Sequence, residues 1–335
     1  MQIIDGLTHF TDVEYLKLSI ANSMGLDKLL WKDRLEWVND NQNILYDKVS
    51  EADEPYQYYK ALKALDDVNN LNPTGFAVGM DSTASGVQMF ACLSGCIQTA
   101  EAVNLTGDGL RHDLYSDVMN SLNIDAPRSD VKQAVMTFFY SSEAMPKAVF
   151  GSKVNKFYAA MEAKLPGACD VMKHLKLCQK FISEQYVIPK PTGGNCYITS
   201  KVMVDHKIEC SLENPKLGND WHFTQRMSEV VWNPKDKSIP ANVAHTCDSW
   251  FAGEIVKICK KTYSFDVYHV HDRFFCSPKY MNRLRWVARN ILANLADSNH
   301  LDKVIKTISN VPDFSYKKHS NNLSKYILNS DYFLS

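Results

Sequence analysis

Two aspartates 191 positions apart sit in frames of the same kind. Asp81 follows the apolar, strand-like run GFAVGM and opens DSTASGVQMF; Asp272 lies in VYHVHDRFF, at the end of a second strand-like run. Carboxylates at strand ends can share divalent cations, and Mg²⁺ prefers oxygen ligands, commonly one or two carboxylates plus substrate phosphates. The backbone carbonyl of Ser82, beside the first aspartate, would complete one coordination shell. Between the aspartates runs RSDVKQAVMTFFYSS. In a helix, Arg128 and Lys132, four apart, stack on one face. Tyr140 then lies about 12 Å further along and about 80° round the axis. The helix N-terminus favours anions, so the two cations would hold a triphosphate there, with the tyrosine near ribose and base. The chemistry such a set could perform is phosphoryl transfer with two Mg²⁺ ions roughly 3.5–4 Å apart. Taken singly, the patterns also fit a turn-forming aspartate and a solvated cationic helix face.

The elements that must position these groups read as mostly helical. Residues 13–65 suggest helices separated by turns, and the polar stretch DDVNNLNPTG breaks the pattern before the first strand. Helices are expected over 85–105, 109–122, 128–144, 153–165 and 170–185. Asp125 is a candidate cap for the third of these, with Pro127 inside its first turn. From 186 to 240, Pro189, Pro191, Gly193 and Gly194 introduce alternating segments such as NCYITSKVMV and HKIECSL, which suggest β-hairpins. Helix returns at 241–262, a hairpin surrounds the second aspartate at 265–277, and 280–310 is helical. The fold class expected is α+β, mostly helical.

Composition sets wide bounds. The chain has 335 residues, 45% of them hydrophobic, which suffices for one large or two moderate domains. No apolar run of about 20 residues suggests a membrane span, and the N-terminus lacks the pattern of an export signal. Nine cysteines, with no paired CxxC units, fit free thiols in a reducing cytosol. Cys92 and Cys96 lie one helical turn apart without neighbouring ligands, the pattern of buried thiols rather than zinc. The net charge of −1 argues weakly against nucleic-acid binding. Basic residues nonetheless cluster over 147–180 and 279–289.

At this point the motifs converge on a family. DSTASGVQMFACLSGCIQTAEAVNL (81–105) resembles motif A of the single-subunit RNA polymerases of bacteriophages and mitochondria, RSDVKQAVMTFFYSS their motif B or O helix, and VHDRFF their motif C. ANSMGLDKLLWKDR (21–34) fits the family's AN…G.DK…R segment, and NNLSKYILNSDYFLS its closing segment. The resemblance implies a right-hand palm and fingers with a small antiparallel palm sheet. The palm would comprise 1–110 and 245–335, with fingers over 111–244 that include the O helix and a specificity-hairpin-like region at 196–235. It implies that Asp81, Asp272 and the Ser82 carbonyl bind two Mg²⁺ ions. Arg128 and Lys132 would hold the incoming NTP, Lys132 would protonate pyrophosphate, and Lys28 would add a phosphate contact. Tyr140 and His245 would select ribose, the 2′-hydroxyl being what distinguishes RNA precursors. Lys201, Lys207, Lys216 and Arg226 are candidate contacts to DNA template or nascent RNA, and His271 would shape the site.

The chain departs from the family in several places. Ser82 and Ser141 stand where the family has glycine, small changes expected to leave the backbone undisturbed. Arg273 replaces a small residue after the motif C aspartate. An N-terminal domain, a thumb and a Thr/Arg-containing palm segment find no match in the expected order, which leaves two accounts: an artificial N-terminal truncation, or one subunit of a naturally split enzyme. The expectation favoured is the palm–fingers subunit of a split, heterodimeric phage enzyme, working with a second subunit that carries those parts in the cytoplasm of an infected bacterial host. Two rivals remain. A family A DNA polymerase would normally read DYSQIELR and HDE at motifs A and C. A non-catalytic, nucleic-acid-binding subunit would have no need of both aspartates, Arg128, Lys132 and Tyr140 together.

Overall fold

The computed structural model describes residues 2–4, 6–212, 221–233 and 237–335. Helices dominate, and four small antiparallel sheets complete an α+β architecture. The central sheet has three strands, Val78–Asp81, Arg273–Cys276 and Tyr268–Val270, with Arg273–Cys276 in the middle. Its register pairs Val78 with Cys276 and Met80 with Phe274, all four buried. Because strand side chains alternate faces, Gly79, Phe275, Asp81 and Arg273 occupy the opposite face. A single alternation thus buries the apolar residues and presents the first aspartate outward.

Immediately after the strand, helix Ser85–Ser94 is buried from Val87 to Ser94. Its one long polar side chain, Gln88, is satisfied: the amide nitrogen donates to the carbonyls of Val103 and Phe333, each at 3.0 Å. The single helix expected over 85–105 is instead two, Ser85–Ser94 and Ile97–Ala102. Gly95 breaks it at φ 69°, and a β-carbon there would sit 2.2 Å from the Ser320 carbonyl oxygen, so only glycine fits.

The helix expected over 128–144 also stops early. It spans Arg128–Phe139, and a separate helix, Ala144–Phe150, follows. Ser141 takes φ 68°, with its N–H donating to Phe138 O and that of Ser142 to Thr137 O. This is a Schellman closure, whose left-handed position glycine normally fills. Ser141 thus takes a position that favours glycine while carrying a β-carbon. At the helix start, Pro127 rather than Asp125 holds the capping position, and no side chain caps it. The helix expected over 170–185 is Pro166–Leu177, because Pro166 starts it a turn earlier.

The C-terminal segment is a seam. Asp331 accepts hydrogen bonds from Thr8 N–H, the Thr8 hydroxyl, the Trp31 indole and the Arg285 guanidinium, at 2.6–2.9 Å. Arg285 and Arg34 are both fully buried. Arg34 donates to the carbonyls of Leu29 and Asp27 and to the Asn22 side chain, at 2.7–2.9 Å. Asn22, Asp27 and Arg34 of the AN…G.DK…R segment are thus one hydrogen-bonded unit that fixes the loop carrying Lys28. All nine cysteines are free, Cys92 and Cys96 among the buried ones. No helix among the described residues is long and apolar enough to cross a membrane.

Candidate active site

Beyond residue 81 the chain bends into helix Ser85–Ser94 through Ala84, a left-handed alanine at φ 56°. The second aspartate arrives from the other side of the sheet. His271 and Asp272 form the two-residue turn between Val270 and Arg273, with His271 at φ 52°. Histidine is among the non-glycine residues that tolerate this region best, so its first service is to the turn. The carbonyl of Asp272 accepts from Ser82 N–H at 3.1 Å. Strand pairing continues onto the C-terminal segment, where Asp81 and Ser335 exchange backbone hydrogen bonds at 3.2 and 2.9 Å.

Asp81, Asp272, Ser82, Lys28, Arg128, Lys132 and Tyr140 all line one cleft of about 260 Å³. His245 joins through Tyr140, with ring centroids 5.1 Å apart. The structure therefore brings these eight residues together. Lys201, Lys207 and Arg226 stand on a separate hairpin of strands Lys201–Leu212 and Trp221–Trp232. Register and alternation put all three on one face, with Lys207 directly opposite Arg226. Asp205 and Glu209 share that face, while the other carries Val202, Ile208, Phe223 and Met227, all exposed. Lys216 lies outside the described residues.

Within the cleft, acidic and basic side chains are interleaved. Burial pushes the Asp81 carboxyl up to about 6; Arg273 opposes this, and the charges of Asp272 and Glu54 add to it. Even so, 54% of the Asp81 side chain stays open to the cleft, so water tempers the shift. On the helical wall, Arg128 is gripped by Asp113, Nε to Oδ2 at 2.8 Å and Nη2 to Oδ1 at 2.7 Å. That bidentate clasp leaves Nη1 and one Nη2 hydrogen for another anion. The Asp113 carboxyl feels burial raising it, but hydrogen bonds from Arg128 and Ser116 prevail and bring it down to about 2. Lys28 contacts Asp27. Lys132 is exposed and has no ion-pair partner among the described residues. The first turns of helices Ser85–Ser94 and Arg128–Phe139 both border the cleft, adding two positive dipole ends.

Several functional candidates escaped the sequence reading. Asp248 sits one helical turn after His245 in helix Ile239–Tyr263 and accepts from the Ser85 hydroxyl at 3.2 Å. Burial, then the charge of Asp272, drives its carboxyl up to about 7. The His-x-x-Asp spacing was a usable signal. Asp113 and Arg111 also line the cleft, but nothing in LRHDLY announces them. Ligand atoms of Glu101, Asp108 and His112 lie within 4.8 Å of one another. The 2.6 Å contact of His112 Nε2 with Asp108 explains that cluster, which shares no residue with the cleft.

The residues present fit a divalent cation. Asp81 and Asp272 repel one another across a shared cleft, and no described donor takes up the Ser82 carbonyl beside them. Fold and cleft thus set an acidic strand edge opposite a helix that carries Arg128 and Lys132. Residues 10–148 match the sequence model of the DNA-dependent RNA polymerase family, which supports the resemblance to its single-subunit phage and mitochondrial type. It is 29% identical over 171 residues to a probable DNA-directed RNA polymerase of Neurospora crassa, covering 43% of this chain and 19% of that protein. To the DNA-directed RNA polymerase of Pseudomonas phage phiKMV it is 31% identical over 126 residues, 32% of this chain and 15% of the relative. A mitochondrial DNA-directed RNA polymerase of Schizosaccharomyces pombe is 27% identical over 164 residues, 38% and 14% respectively. The matched region thus spans less than a fifth of each relative's length. These relatives do not favour the DNA polymerase alternative.

Proposed function

We propose that this chain is the catalytic core of a DNA-directed RNA polymerase, joining NTPs to an RNA 3′ end on a DNA template. The observation that carries the reading is the shared cleft: carboxylates 191 residues apart face Arg128, Lys132 and Tyr140 across it. In this reading the palm is 1–110 with 245–335, and the fingers are 111–244. Asp81, Asp272 and the Ser82 carbonyl would hold Mg²⁺, which when bound supplies Lewis-acid activation of the attacking hydroxyl and neutralises developing phosphate charge. Arg128, already oriented by Asp113, and the unpaired Lys132 grip the triphosphate. Lys132 then donates a proton to the departing pyrophosphate as the 3′-oxygen bonds to the α-phosphorus. Catalysis by such a wall is mainly positioning and electrostatics. Tyr140 and His245, in ring contact, bound the sugar. The hairpin face bearing Lys201, Lys207 and Arg226 meets template or RNA phosphates, whose charge offsets the unfavourable pairing of Lys207 with Arg226.

Template-directed NTP incorporation tests the reading. Asp81→Asn and Asp272→Asn should abolish synthesis while circular dichroism shows an unchanged fold. Full activity in either variant refutes it. Run with and without proteins that copurify with the chain from its native cell, the same assay tests the proposal of a second polypeptide. Full activity of the chain alone removes that part.

A further inference from the structure

Arg273, directly opposite Asp81 in the central sheet, is the one residue at the strand edge that the proposed chemistry does not use. Its guanidinium lies between two acids. Nε is 3.5 Å from Asp81 Oδ2, and Nη1 is 3.3 and 3.4 Å from the two oxygens of Glu54. The group also lies 5.2 Å from the centre of the Phe275 ring. Space for it is made by Gly79, where a β-carbon would sit 2.8 Å from Arg273 Nε and 2.5 Å from Phe275 Cε1. Glu54, at the start of helix Pro55–Asn69, is itself anchored, its N–H donating to Ser23 O at 2.9 Å. The arginine thus sits over a glycine trough, pairs on one side with the Glu54 carboxylate, and directs Nε, which has no hydrogen-bond partner among the described residues, at a single oxygen of Asp81.

We propose that Arg273 is a positioning residue for Asp81: tethered by Glu54, it fixes one carboxylate oxygen and keeps binding of a divalent cation to the bare carboxylates weak. This rests on the cation reading given under the proposed function. A fixed positive charge beside a carboxylate repels a second cation and competes for the same oxygen. Glu54 moderates this by sharing the guanidinium. Removing Arg273 and removing the Glu54 charge must therefore act in opposite directions, which a merely structural role for either would not produce.

Mn²⁺ binding to the nucleotide-free chain, read from the loss of the free-ion electron paramagnetic resonance signal, tests this without any activity measurement. Arg273→Gln should tighten binding by about fivefold and Glu54→Gln should weaken it by about twofold to threefold, the range of partly exposed charge pairs. Arg273→Lys, which keeps the charge, should stay within about twofold of the native chain. In the Arg273→Gln background the Glu54→Gln effect should shrink, as expected of residues acting through one another. Unchanged or weaker binding in Arg273→Gln, or equal tightening in Arg273→Lys, overturns the inference. If binding does not respond to Asp81→Asn or Asp272→Asn, the cation site itself is wrong and both readings fall. If it responds to those but not to Arg273→Gln, only the role of Arg273 falls.

Discussion

Replacing Asp113 by asparagine removes the charge that fixes Arg128 at the mouth of the cleft. The carboxyl drops from an ordinary 3.8 to about 2 in the folded chain, which at 1.36 kcal/mol per tenfold corresponds to roughly 2.4 kcal/mol. The Arg128 side chain is 37% exposed, so solvent screening reduces the expected contribution to about 1–1.5 kcal/mol. The folded-state value lies below the unfolded one, so this stabilisation is complete well above pH 4 and is lost as pH falls through about 2. Urea unfolding followed by circular dichroism should place Asp113→Asn about 1–1.5 kcal/mol below the native chain at pH 7, with the gap falling to roughly half at pH 3. The same change loosens Arg128, so KM for the nucleotide should rise about fivefold, equivalent to about 1 kcal/mol of lost preorganisation. A variant as stable as the native chain at pH 7, or a gap indifferent to pH, refutes the clasp as a stabilising element.

Three further outcomes follow from the same geometry. Tyr140→Phe should raise deoxynucleotide incorporation about tenfold relative to ribonucleotide; unchanged discrimination in competition assays counts against its place at the sugar. Ser141→Gly should raise the urea midpoint by an amount worth about 1 kcal/mol, because it relieves a left-handed β-carbon and removes a buried hydroxyl that has no partner. An equal or lower midpoint refutes the strain. Asp81→Asn should stabilise the metal-free chain at pH 8 but hardly at pH 4. The carboxyl is raised to about 6, so its ionised form opposes folding only as pH climbs from the unfolded value through that point; a stability difference between variant and native chain that does not change with pH contradicts it.

Much of this site could be read from residue order, for reasons that differ residue by residue. Strand alternation is short-range, so GFAVGM and VYHVHDRFF disclosed that each aspartate stands at a strand end, while the register shows that Asp81 faces away from Val78 and Met80. The spacing of Arg128, Lys132 and Tyr140 is likewise a property of one helix. What stayed hidden depends on pairs remote in the chain. Asp113 matters only because it meets Arg128, and Glu54 only because it meets Arg273, 219 residues away. The helix ends were misread where backbone closure overrode composition. Ser141 has no glycine signature, yet the Thr137 and Phe138 carbonyls impose the left-handed turn. Asp125 was a plausible cap, but Pro127, with its fixed φ, occupies the position from which a cap would act. Which hairpin residues share a face with Lys207 and Arg226 needed the register, since one residue of slip would exchange its faces.

Some unfavourable local terms lie where the chemistry would occur. Ala84, Ser141 and His271 are left-handed without being glycine, and each adjoins a residue that lines the cleft. Asp81 and Asp248 are both held above the ordinary carboxylate range by burial, and the charge of Asp272 raises each of them further. A chain selected for stability alone would place amides at these positions and glycine at the turns. Buried like charges survive in a fold when something bound repays their repulsion, and strained turns survive when they fix a group that must not move. Here the strained turns flank Asp81, Tyr140 and Asp272, the three residues that the proposed reaction asks to hold still. The neighbouring cations Arg128 and Arg273 are clasped by Asp113 and Glu54 rather than by those aspartates at hydrogen-bonding distance. That leaves the central carboxylates under-compensated, which is the condition for a cation and a nucleotide to bind there together.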